Sequence, residues 1–464
     1  MTPGRSAFNS ESELVAAALA LGAASAGGPL TGAERALLTA AETRIPSKAR
    51  IRRLKDLICS GEDPLGEAFS MLRSPDDRRK NGATYTPASI VKNMVEWAAS
   101  NCAPNRIIDP GVGSARFLLR AGAVFPTAQL VGIDIDPVAT LMARANLSVA
   151  GLGFRSRVIL MDYRLFTEQI DGTTLYIGNP PYVRHHQIMP EWKEWLRAEA
   201  LNLDLTASKL AGLHVYFFLA TARAAKPNDV GVFVTASEWL DVNYGALVRS
   251  LMLGKLGGKS VTVVEPTAQP FPDAATTAAI TTFEIGTKPR SLCFKRVDDL
   301  SKLGELEKGR KVHRDRLFVE QRWSHLTRAG EKPPEGFVEL GELCRVHRGT
   351  VTGANGVWIA GPHSADLPES VLYPTITRAR EVLDAEGLLS DVAGLRRVID
   401  LPADLDELNT EDRSLVARFL RTAQAMGANK GYVARHRKAW WSVGLRAPAP
   451  IFAIWLLLQF PRTT

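Results

Sequence analysis

Apolar residues in the first 80 positions recur at helical spacing, as at Ile51, Leu54, Leu57 and Ile58, among many Ala, Leu, Glu and Arg residues. That pattern predicts a helical segment over 1–80. From about residue 106 to about 286 the pattern changes to short β-rich runs separated by helical stretches, which predicts an α/β sheet with parallel crossovers. The expected strands are 106–109 (RIID), 129–134 (QLVGID), 157–162 (RVILMD), 174–179 (TLYIGN) and 230–236 (VGVFVTA). Two further runs, 260–265 (SVTVVE) and 278–285 (AAITTFEI), are expected to close an antiparallel edge. Residues 291–336 read as a connector that ends in the turn-forming Glu331-Lys332-Pro333-Pro334, and a separate unit is expected over 337–464. No repeat recurs at a fixed period.

The 464 residues are too many for one ordinary core, and the 45% hydrophobic and 23% charged content is that of a folded globular chain. Basic residues outnumber acidic ones by 57 to 49, a net charge of +8, which permits a polyanionic partner without requiring one. Cys59, Cys102, Cys293 and Cys344 are too scattered for a disulfide framework, which favours a reducing compartment. Cys344 and His347 have ligand-like spacing but lack a second pair, so no metal site is expected. The apolar run 15–26 (VAAALALGAASA) imitates a secretion signal, but Glu11 and Glu13 precede it. The run Ile451–Phe460 is too short to span a bilayer. A soluble, cytoplasmic protein with no membrane partner is the expectation.

Chemistry enters at the strand ends. The first strand runs into Asp109-Pro110-Gly111-Val112-Gly113-Ser114 just before a predicted helix. Small residues at such a turn let the backbone approach a ligand, and the helix N-terminus offers free N–H donors. Asp134 ends the second strand, where doubly wound folds place the acid that accepts ribose hydroxyls. Asp136, followed by Pro137, suits the N-cap of the next helix. Asp162 ends the third strand, so Asp109, Asp134 and Asp162 fall along one carboxyl edge, a placement that fits an adenosine-type cofactor.

The fourth strand ends in Asn179-Pro180-Pro181-Tyr182. At average residue frequencies this tetrapeptide occurs by chance in roughly one such chain per thousand. The Asn179 side-chain oxygen and the Pro180 carbonyl can both accept from one amino group, which draws its nitrogen toward a tetrahedral shape and localises a lone pair otherwise delocalised into a ring. Pro180 and Pro181 stiffen the loop, and Tyr182 offers a flat face to a flipped-out base.

These ordered motifs resemble the N6-adenine DNA methyltransferases of bacterial restriction-modification systems, in the arrangement where cofactor motifs precede a C-terminal recognition domain. The resemblance spans about residues 60–360. It implies a Rossmann-like class I fold that uses S-adenosylmethionine, with a catalytic domain over 81–290 and a DNA-recognition domain over 337–464. It also implies that Thr86, in Gly82-Ala83-Thr84-Tyr85-Thr86-Pro87, meets the methionine end of the cofactor. Asp109, Gly111 and Gly113 would surround its methionyl part, and Asp134 would take the ribose. Asp162 would receive the adenine amine, with Tyr163 as a wall. Ala115 departs from the family, where a third glycine is usual. Asn179 to Tyr182 would be catalytic, and Phe271 would cover the base face opposite Tyr182.

The segment Gly349 to Asn355 resembles the turn that opens the family's recognition domain, and reads equally as an ordinary hairpin. Lys430, Arg435, Arg437, Lys438 and Trp440 are the expected DNA contacts, against the alternative of a solvated basic face over a Trp-filled core. The resemblance implies double-stranded DNA as substrate and a cognate restriction endonuclease as partner. The abrupt apolar tail IWLLLQFPRTT predicts a shortened recognition domain. The competing expectations are an N-methyltransferase acting on an RNA base or a protein glutamine, and a DNA-binding homologue with impaired catalysis.

Overall fold

The computed structural model describes residues 8–44, 46–73, 86–270, 277–328, 349–385, 388–389, 391–449 and 451. The chain forms two compact units, Met1–Lys332 and Pro333–Thr464.

The first unit is built on a nine-stranded sheet in the order β3-β2-β1-β4-β5-β7-β6-β8-β9. Its strands are β1 (Arg106–Pro110), β2 (Gln129–Asp134), β3 (Ser156–Leu160), β4 (Thr174–Gly178) and β5 (Val230–Ala236), followed by β6 (Gly258–Val264), β7 (Ala278–Glu284), β8 (Ser291–Val297) and β9 (Arg310–His313). Strands β3 to β5 in that spatial order pair in parallel, and β1, β4 and β5 are buried along their whole length, as apolar strands covered on both faces must be. The order reverses between β1 and β4, which opens a crevice at their carboxyl ends.

Strand β7 lies antiparallel between β5 and β6, but this pair does not form the edge expected from sequence. Strand β8 adds to β6 in parallel and β9 closes the sheet antiparallel to β8, so Ser291–Val297 and Arg310–His313 of the segment expected to be a connector, 291–336, belong to the sheet. The physical reason is burial. Leu292 and Phe294 on β8 are covered, and Phe294 meets the buried Trp323 edge to face with ring centroids 5.8 Å apart. Exposed Arg310, Lys311 and His313 on β9 blunt the new edge against further pairing.

The N-terminal segment forms helices Glu11–Ala20, Gly32–Ala41, Lys48–Cys59 and Pro64–Leu72. The signal-like run is apolar because its helix is core: Leu14 to Ala18 are buried in a cluster with Val138, Leu141 and Met142 of the helix Pro137–Val149. Arg144 of that helix is fully buried and donates to Glu34 Oε1 (2.8 Å) and to the carbonyls of Ala26, Gly28, Pro29 and Val158. Burial alone would raise the Glu34 pKa, but the N–H and hydroxyl of Thr31 and the charge of Arg144 together hold it below the usual range.

The second unit contains the antiparallel pair β10 (Leu372–Thr375) and β11 (Arg396–Ile399) and the helix Thr410–Ala425. Its core is built around Trp358, Ile399, Leu401, Val416 and Phe419. Gly349 to Asn355 forms no hairpin: Gly353 takes a left-handed backbone (φ +78°) and the chain enters a short helix, Asn355–Trp358.

Replacing Arg144 by Met leaves the Glu34 carboxylate and a set of backbone carbonyls without their donor. We expect a loss of about 3–5 kcal/mol in urea unfolding, and a loss below 1 kcal/mol would contradict the bracing role of this pair.

Candidate active site

At the crevice between β1 and β4 a cleft encloses about 1250 Å³ of empty space, open solvent at its mouth included. Thr86, Gly111, Gly113, Asp134, Asp162, Tyr163, Asn179 and Pro181 all line it, so residues spread over nearly 100 positions meet at one sheet edge. The turn after β1 takes the shape its small residues permit. Gly111 and Gly113 have φ of +104° and +50°, and a side chain at Gly111 would point at Pro181 and the Asn179 carbonyl. Ala115 also has positive φ (+69°) and caps the helix Arg116–Val124. The alanine therefore stands in the conformation that a glycine adopts freely, at a strain of about 1 kcal/mol.

Asp134 accepts from the backbone N–H groups of Gly113 and Asp136, both at 3.0 Å. Burial raises its pKa to about 6 against that stabilisation. Asp136 is the N-cap expected for it, accepting from Val138 N at 2.9 Å. Its other oxygen pairs with Arg73, which also holds Glu11. Asp162 is gripped by Arg164, whose Nε lies 2.9 Å from Oδ1 and whose guanidinium stacks 3.4 Å over the Trp192 ring. Tyr163 is more core than wall. It is buried, donates to or accepts from Thr221 Oγ1 at 2.7 Å, and packs on Phe217.

Asp109 does not line the cleft. Its carboxylate is buried beneath the strand tips, with Oδ1 only 2.6 Å from where a Cβ on Gly178 would stand, and neither oxygen has a hydrogen-bond partner among the described residues. Burial, reinforced by the charge of Asp134, pushes its pKa well above the carboxylate range.

Asn179 stands at the end of the cleft. Its Nδ2 donates to Thr86 Oγ1 at 3.0 Å, and its Oδ1 accepts from the Tyr182 hydroxyl at 2.6 Å. Pro180 is buried, and Tyr182 lies beyond the cleft lining, half-buried, with its hydroxyl also 3.2 Å from the Val234 carbonyl on β5. Behind it His214 is buried, its ring centroid 6.4 Å from that of Tyr182, and burial pushes its pKa down to about 4, so it is neutral at pH 7. Phe271, Gly82 to Tyr85, Cys344 and His347 lie outside the described residues. Among the described residues no cluster of His, Cys, Asp and Glu could hold a metal, and no helix is long and apolar enough to cross a membrane.

In the second unit the predicted contacts divide. Lys430, Arg435 and Lys438 are exposed, as is Tyr432, whose ring lies tilted against that of His436 with centroids 4.1 Å apart. Arg437 is half-buried and donates to the carbonyls of Val351 (2.9 Å) and Thr352 (3.0 Å). Trp440 packs on Trp358 with ring centroids 6.2 Å apart. These two side chains hold the unit together, and the Trp-filled core anticipated as the alternative accounts for them.

Comparison with known proteins adds the family. The model for the N-6 DNA methylases matches residues 61–206, and that for the Eco57I restriction-modification methylases matches 174–263. The type II methyltransferase M.XamI of Xanthomonas campestris pv. amaranthicola is 48% identical over 403 residues, which cover 87% of this chain and 75% of the relative. The chain belongs to the N-6 DNA methylases of restriction-modification systems. M.AccI of Acinetobacter calcoaceticus, another type II methyltransferase, is 22% identical over 402 residues, 83% of this methylase and 73% of that protein. Among solved structures, the type I restriction-modification system methyltransferase subunit from Streptococcus thermophilus aligns over 55% of the methylase and 56% of its own chain, at 17% identity and a TM-score of 0.42.

The methylase also places residues in the cleft that the sequence reading passed over. Asp63, Gly66, Phe69, Ser70 and Arg73 come from the helix Pro64–Leu72 and its two capping residues and form one wall. Asp63 caps the helix Pro64–Leu72, accepts from Gly66 N (2.9 Å), Ser114 Oγ (2.5 Å) and Arg116 Nε (2.7 Å), and so ties that helix to the glycine turn. A Cβ on Gly66 would strike Asp63 Oδ2 at 2.2 Å, so only glycine allows this close approach. The available signal was the Asp63-Pro64 dipeptide, an N-cap followed by a first-turn proline.

Asp134 binds its proton more tightly in the fold than in the unfolded chain. The stability linked to that proton is complete below pH 3.8 and is lost as pH rises through about 6. Carboxyl-carbon NMR of the methylase is expected to show a step near pH 6 that Asp134→Asn removes. A midpoint below about 4.5 would mean that Asp134 is not enclosed in this way.

Proposed function

We propose that the methylase transfers a methyl group from S-adenosylmethionine to the exocyclic N6 of an adenine flipped out of duplex DNA. The observation that carries this reading is Asn179, set between the cleft on the β1 to β4 side and Tyr182 on the β5 side. The cleft fits the cofactor. Asp134 is anchored by N–H groups with lone pairs left for ribose hydroxyls, the positive-φ glycines leave backbone open to the methionyl part, and Asp162 lies at the same edge for the adenine amine. When bound, the cofactor supplies a methyl group made electrophilic by its sulfonium.

The chain's own contribution is alignment and hydrogen bonding. Asn179 Oδ1 and the Pro180 carbonyl accept from the two N–H bonds of the adenine amine, localising its lone pair toward the cleft. Tyr182 provides a ring face for the base, and Phe271 is assigned the opposite face. In-line displacement then needs no metal and no strong base, because the amine attacks while still neutral and loses a proton to water once the C–N bond has formed. Lys430, Arg435 and Lys438 are assigned to DNA phosphates, with Tyr432 beside them. A cognate restriction endonuclease is the partner this reading expects. The match to the N-6 DNA methylase model over residues 61–206, with the similarity to the type II methyltransferase M.XamI over 87% of the chain, favours DNA over an RNA base or a protein amide as the substrate.

Incubation with labelled S-adenosylmethionine and duplex DNA should yield N6-methyladenine on nucleoside analysis. Asn179→Ala should abolish turnover with cofactor binding kept, and retention of more than about a tenth of the parent rate would contradict the role assigned to Asn179. Changing Lys430, Arg435 and Lys438 to Gln together should flatten the salt dependence of DNA binding, by up to about one unit of log–log slope per lost contact. An unchanged slope would remove these three from the interface.

A further inference from the structure

Thr86 lines the cleft and also reaches the residue that ends it. Its Oγ1 accepts from Asn179 Nδ2 at 3.0 Å. Thr86 is itself only 4% exposed, and its carbonyl accepts from Arg116 NH1 at 2.9 Å. Arg116 is held in turn by Asp63 at 2.7 Å. A continuous line of hydrogen bonds thus runs from the cap of an N-terminal helix, through the first residue of the helix after β1, to the amide that ends β4.

The two ends of a carboxamide have almost the same shape and opposite hydrogen-bonding character. Only the Oδ1 end can accept from an amino group. A half-turn of the Asn179 amide would present two N–H bonds to an adenine that also presents N–H bonds, and the lone pair would not be localised. In the orientation seen, the Thr86 hydroxyl accepts from the Nδ2 end of the amide and the Tyr182 hydroxyl donates to the Oδ1 end, so the carboxamide is held at both ends with its oxygen on the Tyr182 side.

We propose that Thr86 is a positioning residue for methyl transfer, acting through Asn179, with Asp63 and Arg116 fixing the Thr86 backbone. This inference rests on the reading of Asn179 given under the proposed function. It goes beyond the cofactor contact expected of Thr86 from the family resemblance, and it gives the helix Pro64–Leu72 a part in positioning the site.

The test uses the whole 464-residue chain with Thr86→Val, which keeps the shape and removes the hydroxyl, and Thr86→Ser, which keeps the hydroxyl. Methyl transfer to duplex DNA gives kcat and KM, calorimetry gives the Kd for S-adenosylmethionine, and a thermal melt reports folding. Thr86→Val is expected to lower kcat by about thirtyfold, with the cofactor Kd within about threefold of the parent, and Thr86→Ser to recover kcat to within about threefold. Asp63→Asn, which weakens the hold on Arg116, is expected to lower kcat by a smaller factor in the same direction, and it carries the test should Thr86→Val fail to fold. A tenfold rise in cofactor Kd with kcat unchanged would overturn the proposal in favour of a direct cofactor contact. Unchanged kinetics in Thr86→Val, or no recovery in Thr86→Ser, would overturn it as well. Asn179→Ala separates the two levels. If that variant stays active, the reading of the site is wrong; if it is inactive while Thr86→Val behaves as the parent, only the positioning role falls.

Discussion

Parallel strands that end at one edge bring their terminal carboxylates together, and the first unit is organised around keeping those charges tolerable. Asp109, Asp134, Asp136 and Asp162 converge there, and Asp63 joins them from the N-terminal helices. They are not all relieved in the same way. Asp63, Asp136 and Asp162 face Arg116, Arg73 and Arg164. Asp134 leans on two backbone N–H groups, and Asp109, with neither, has its pKa driven upward. Unpaired charge in so enclosed a place would cost several kcal/mol per group, so the arginines are conditions of the fold as well as parts of the site. The result is a cleft whose charges are already balanced, leaving Asp134, backbone donors and shape to select what enters.

This constraint explains which parts of the molecule can be read from the sequence. Strands β2 and β5 begin and end where the apolar pattern placed them, because a strand buried on both faces writes its limits in consecutive residues. The site turns are equally local: Asp109 to Ser114, Asp134 to Pro137 and Asn179 to Tyr182 each carry their chemistry within a few positions. The arginine partners are not local. Arg116 meets a carboxylate 53 positions earlier, Arg73 one 63 positions later, and nothing near either residue announces the pairing. The N-terminal helices therefore read as scaffold until the fold brings Asp63 and Phe69 to the cleft. Strand β8 was missed for a related reason. Its run SLCFKRV carries two charges, and only the packing of Phe294 on Trp323 shows that one face is core.

The same distinction divides the basic and aromatic stretch of the second unit. Composition alone gives Arg435 and Arg437 equal standing, yet one is exposed and the other bonds two carbonyls 85 and 86 positions away. Trp440 and Trp441 likewise serve the core, Trp441 through Nε1 to the Pro402 carbonyl at 3.0 Å. A long side chain with a charged head can close a loop as readily as it can meet a phosphate. Only its donors' partners tell which.

Asn179 is where the two demands on the sheet edge meet. On one side, the glycine turn and the carboxylates favour a polar, hydrogen-bonded cleft; on the other, Tyr182 and buried His214 make an apolar, aromatic surface next to β5. A residue at that boundary must accept a hydrogen bond from one neighbour and donate to another without being free to turn. A carboxylate there would add a further negative charge to an edge already crowded with them, and a hydroxyl has too short a reach to contact both sides. A carboxamide carries no charge and has two fixed, different ends, and two stiff prolines follow it. The electrostatics of the strand tips and, on the proposed reading of the site, the geometry needed to orient an amino group therefore select the same side chain, one from the cleft and the other from the aromatic side.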